Sequence, residues 1–153
     1  MPPSLHVLIN MCIKVEETMG KIYNYLAEAY ASDPPMETMW KKMAQEEGNH
    51  ARQFRLALRM QSALGISGVN LESDRIAEKL RMAESFLKQI STQTPEVSEV
   101  LRETIALEDA LADIHADVAL KIPDERNRKM FQAMMAADKE HATTLSDALK
   151  KIS

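Results

Sequence analysis

Cysteine, glycine, proline and aromatic residues are all scarce. The 153-residue chain has one cysteine, four glycines and six prolines, and aromatics make up 5% of it. The single Cys12 excludes an internal disulfide and any four-cysteine iron or zinc site within the sequence. So few aromatics and glycines, beside eleven methionines, suit helices rather than sheets. No apolar run is long enough to span a bilayer. The opening MPPSLHVLINMCIKVEE has neither the basic region nor the small-residue cleavage site of a signal peptide. The formal net charge of −4 gives no reason to expect nucleic acid or an anionic membrane surface as partner. A cytoplasmic location is the expectation. The length suits a single domain, 1–153, large enough for a real core.

What is present centres on Met39–Phe54, MWKKMAQEEGNHARQF. Read as a helix, it shares one stripe among Trp40, Met43, Ala44, Ala51 and Phe54. Glu47 and His50, three residues apart, fall on that stripe. Glu46 and Asn49 fall instead among Lys42 and Gln53, on the face expected to meet water. A carboxylate on an apolar stripe is costly unless something neutralises it. Such a conflict between pattern and chemistry points to function.

The pattern returns in Met130–Leu145, MFQAMMAADKEHATTL. Without a gap, Met43 meets Met134, Glu47 meets Asp138 and His50 meets His141. The preceding helices match as well. Val15–Tyr30 lies over Leu107–Ile122, pairing Glu16 with Glu108, Ile22 with Ile114 and Tyr23 with His115. The offset is 92 residues for the first helices and 91 for the second. A helical hairpin is thus used twice. Each copy carries Glu on its first helix and Glu/Asp-x-x-His on its second.

Along the chain, helix 1 is expected from about Ser4, as N-cap, to Ala31. Its inward residues are Leu8, Met11, Cys12, Val15, Met19, Ile22, Leu26 and Tyr30, with Glu16 among them and Glu17 outside. Asp33 caps the next helix, with Pro34 at its first position. That helix reaches about Leu64, before Gly65-Ile66-Ser67-Gly68. Between the hairpins, Ser73 or Asp74 can cap an amphipathic helix with Ile76, Leu80, Ala83, Phe86, Leu87 and Ile90 on one face. It lies in the long crossover, and a second subunit could equally cover it. Thr94 caps the next helix, with Pro95 at its first position, running to about Lys121. Pro123-Asp124 separates it from the last helix, which ends near Lys151. The expectation is an all-α four-helix bundle of two repeated hairpins, with an extra amphipathic helix in the crossover.

Six inward residues, Glu16, Glu47, His50, Glu108, Asp138 and His141, lie near mid-helix and can converge at one level. Four ionised carboxylates balance two divalent ions, and two neutral imidazoles complete the set. Leaving those carboxylates buried without neutralisation would cost about several kcal/mol each. Mixed carboxylate and imidazole ligands suit iron or manganese. Zinc can bind but is redox-inert. A decayed site, with these groups bonding one another or water, is the bland alternative. Tyr23 lies on the face of Glu16 and can hydrogen-bond a ligand. His115 is roughly 10 Å along its helix from Glu108, too far to share a metal with it, and suits a supporting place. Cys12 and the methionines read as core packing.

These motifs resemble the ferritin-like superfamily, and rubrerythrin-type domains in particular. Glu16 followed by Tyr23-Asn24-Tyr25-Leu26-Ala27 is similar to the rubrerythrin first helix, and Ala44–Phe54 to the second. The resemblance implies a non-haem di-iron centre held by Glu16, Glu47, His50, Glu108, Asp138 and His141, acting on hydrogen peroxide or dioxygen. The family usually has Glu where Asp138 stands, and an extra Glu near the third-helix ligand, where this chain has Leu111 and Ile105. It also usually carries a rubredoxin module with four cysteines. With Cys12 alone, electrons are expected from a separate, rubredoxin-like protein or a small reductant. The leading expectation is peroxide reduction. The alternatives are a ferroxidase or iron-storage subunit, a hydroxylase, or a metal-binding bundle without turnover. A homodimer through the crossover helix is an open option.

Overall fold

The computed structural model describes residues 5–60, 70–93 and 95–152. Five helices follow in order: α1 Leu5–Ala29, α2 Pro34–Met60, α3 Asn70–Thr92, α4 Val97–Lys121 and α5 Glu125–Ile152. The expected Ser4 cap, the Thr94 cap and the glycine-bearing end of the second helix lie outside the described residues.

Two long hairpins, α1–α2 and α4–α5, form the body of the bundle. Each is closed by a short turn with a carboxylate cap. Asp33 Oδ1 accepts from the Met36 N–H at 3.3 Å, as the Asp33-Pro34 pair predicts. Asp124 Oδ2 accepts from the Asn127 N–H at 3.1 Å. Arg128 then ties down the α4–α5 turn, donating to the Ile122 carbonyl at 3.2 Å and the Pro123 carbonyl at 2.9 Å. The start of α4 differs from expectation. Glu96 is the N-cap residue of α4, and its side chain makes no capping bond. Pro95 therefore stands just outside the helix rather than at its first position.

The crossover helix α3 begins at Asn70, ahead of the expected Ser73 or Asp74 cap, and Ser73 is buried. Its apolar face packs within the chain, on α1 and α4. Ile76, Ala83, Phe86 and Ile90 are buried there, with Leu80 and Leu87 partly so. The Tyr30 hydroxyl, donating to the Pro95 carbonyl at 3.1 Å, links the end of α1 to the approach of α4. The remaining core follows the inward stripes: Trp40, Tyr23, Phe54 and Phe131 are its largest fully buried side chains. Helices α2 and α5 touch only lightly and leave a groove between them. Among the described residues, no helix is long and apolar enough to cross a membrane.

Candidate metal centre

The helical stripes bury Glu16, Glu47, Glu108, Asp138 and His141, and leave His50 only slightly exposed. Two clusters of ligand-type atoms result, each spanning no more than 4.8 Å: Glu16, Glu47 and His50, and Glu47, Glu108 and His141. Glu47 belongs to both. Close approach of α1 and α2 puts it there; a Cβ added at Gly20 would lie 3.7 Å from the Glu47 Cβ. His50 Nδ1 stands 3.7 Å from both Glu16 Oε2 and Glu47 Oε2. His141 Nδ1 stands 3.0 Å from Glu47 Oε1 and 3.3 Å from Glu108 Oε1.

Asp138 is placed differently. It is buried and close to the other acids, but it lies in neither cluster. Its Oδ2 meets His115 Nδ1 at 2.6 Å. His115 sits in an aromatic box, with ring centroids 6.1 Å from Phe54 and 5.9 Å from Phe131. Tyr23 donates its hydroxyl to Glu108 Oε1 and stacks on Trp40 at 5.5 Å. Tyr23 and His115, equivalent in the repeat, thus each hold a buried carboxylate.

Do these residues fit metal ions? Both oxygens of Glu16, Glu47 Oε1, Glu108 Oε2 and His50 Nδ1 are buried without a hydrogen bond. Buried polar atoms are nearly always partnered, and a buried carboxylate left unpartnered is costly. The carboxylate oxygens among them can only accept, and cations within ligand range would satisfy them. The donor set fits.

Electrostatics agree with that deficit of positive charge. Burial, then the charge of Glu47, lifts the Glu16 carboxyl to about 8, against the lowering influence of His50. Burial also lifts Glu108 to about 7, although hydrogen bonds from His141 and Tyr23 resist it. For Glu47, burial and the Glu108 charge push upward, but the neighbouring Glu16, His141 and His50 side chains prevail and hold it below the usual carboxylate range. Burial works to lower both ligand-type histidines. Their carboxylate partners outweigh it, raising His50 to about 10 and His141 to about 12. These shifts keep protons on buried groups that cations could replace.

One residue escaped the periodicity argument. Glu46, expected among the solvated residues, reaches across the α2–α5 groove, and its Oε2 meets His141 Nε2 at 2.7 Å. Its side chain remains 34% exposed. The position reads as solvated because α2 alone sets the pattern. That α5 returns beside it is information from the second hairpin.

A helical bundle whose interior holds acidic and imidazole side chains in two clusters around a shared carboxylate defines a ferritin-like, metal-binding class. The rubrerythrin family model matches residues 8–149, nearly the whole chain, and the protein belongs to that family of di-iron carboxylate proteins. No curated protein and no solved structure gives a match.

Proposed function

We propose that this protein is a non-haem di-iron oxidoreductase that reduces hydrogen peroxide to water with electrons from an external donor, such as a rubredoxin-like protein or a small reductant. The observation that carries this reading is the pair of carboxylate–imidazole clusters sharing Glu47, with buried oxygens that make no hydrogen bond. Glu16, Glu47, His50, Glu108, Asp138 and His141 would hold the two ions, the first three and Glu47, Glu108 and His141 already standing within ligand range of one another. Two bound irons would supply the two electrons that cleave one O–O bond, and the donor restores them. The balance is one peroxide, two electrons and two protons giving two waters.

The chain's own residues set the surroundings. Trp40, Phe54 and Phe131 keep bulk water from the cluster. Tyr23 orients Glu108 by donating its hydroxyl proton to Oε1. His115 holds Asp138 through its Oδ2.

Anaerobic loading with Fe(II), followed by metal analysis, tests the centre. Two irons per chain are expected, falling in Glu47→Ala. Stopped-flow oxidation of the loaded protein should then be faster with peroxide than with dioxygen. Retained iron that is indifferent to Glu47→Ala would overturn the site. Faster reaction with dioxygen would turn the reading toward ferroxidase chemistry.

A further inference from the structure

We infer that Glu46 is a positioning residue for His141, and that it makes the two metal positions unequal. The inference rests on reading the clusters as a metal centre.

The imidazole of His141 has two faces. Its Nδ1 points inward to Glu47 and Glu108, at 3.0 and 3.3 Å. Its Nε2 points outward and meets Glu46 Oε2 at 2.7 Å. For Nδ1 to offer a lone pair to a cation, the ring proton must sit on Nε2. A carboxylate accepting that proton's hydrogen bond selects this tautomer, fixes the ring plane and makes Nδ1 a stronger donor. Glu46 does so from the floor of the α2–α5 groove, a space of about 250 Å³ that Lys42, Glu140 and Thr144 also line.

His50, the equivalent residue of the repeat, is built otherwise. Its Nδ1 faces Glu16 and Glu47 at 3.7 Å. Among the described residues, no outer carboxylate supports its ring. The repeat therefore produces two similar clusters, and one added contact distinguishes them. Lys42 is a natural control. Its Nζ is 3.9 Å from Glu46 Oε1 and the side chain is 76% exposed, so it adds little to the hold on His141.

The test uses Co(II) as probe, titrated anaerobically into wild type, Glu46→Ala, Glu46→Gln, Lys42→Ala and Glu47→Ala, followed by visible absorption. Wild type is expected to fill in two steps. Glu46→Ala should weaken the tighter step by about 10–100-fold and leave the other unchanged. Glu46→Gln, which keeps an acceptor oxygen, should recover part of the loss, and Lys42→Ala should match wild type. A second readout needs no metal. The His141 Nε2–H should give a protected imidazole signal in nitrogen-15 NMR of the metal-free protein, absent in Glu46→Ala, while the His115 Nδ1–H signal persists.

Equal weakening of both steps, or no weakening, overturns the inference, as does a wild-type spectrum without the protected His141 proton. Failure of the underlying reading looks different. Wild type would then take up no Co(II), or bind it independently of Glu47, while the His141 signal still reports whether Glu46 holds the ring.

Discussion

At the scale of single residues, the site is governed by who supplies hydrogen to a buried carboxylate. Glu108 is fully buried, and Tyr23 is a neutral donor to it. Tyr23→Phe keeps the ring and its stacking on Trp40 but strips that donor. A buried acceptor deprived of its partner costs about 1–3 kcal/mol. Urea unfolding of the metal-free variant should show a loss of that size, with an unchanged denaturant slope. A loss near zero would mean that another donor replaces the hydroxyl. Asp138, which the pattern aligns with Glu47, meets His115 Nδ1 with its Oδ2 at 2.6 Å. Stripe membership was readable from spacing. The partner chosen along the stripe was not, because spacing determines a direction and not a reach. Glu46 is the converse case: its reach across the groove depends on a helix ninety-odd residues away.

At the scale of elements, the helices were legible where apolar period, proline and capping acid agree, as at the starts of α2 and α5. Asp33-Pro34 begins α2 as read, while Pro95 does not begin α4, since extended backbone at Glu96 delays the helix. The amphipathic face of α3 was visible, but not what it covers. A stripe states that something apolar lies opposite, whether in the chain or in a second copy. Here the cover is α1 and α4. Ile90 is fully buried on that face. Ile90→Ala should therefore destabilise by about 2–5 kcal/mol, by the same amount at low and high protein concentration. A loss that grows on dilution would assign the face to an intermolecular contact. An opposite effect is expected on α2. Gly48 is inside the helix, and a Cβ there would meet only the far end of Arg52 at 3.8 Å. Gly48→Ala should stabilise by about 0.5–1 kcal/mol, read as a raised melting temperature.

At the scale of the whole molecule, protons and metal compete for one set of buried groups, so stability, pH and metal are linked. The metal-free protein is the simpler case. Folding raises Glu16 to about 8, His50 to about 10 and His141 to about 12, and lifts Asp138 well above the usual range. Each such group binds protons in the folded state that the unfolded chain has released. Its contribution is fully present below the unfolded pKa and disappears as pH rises through the folded one. Two groups have the opposite sign. Glu47 is lowered, and its contribution is lost as pH falls through the acid range. His115 is also lowered, chiefly by burial, and charging it in the unfolded chain costs stability below about pH 6.5. Between pH 7 and 9 neither opposes the others. The melting temperature of the metal-free protein should therefore fall steadily from pH 7 to pH 9. Metal reverses the trend, because cations replace the protons and bind only the folded bundle. At fixed free Fe(II), kept anaerobic, the gap in melting temperature between loaded and metal-free protein should widen across the same interval, and chelation should close it. Differential scanning calorimetry of both forms at three pH values makes the measurement. A gap that narrows with pH would mean that the metal does not displace protons from these carboxylates and imidazoles, and would place the ions elsewhere in the bundle.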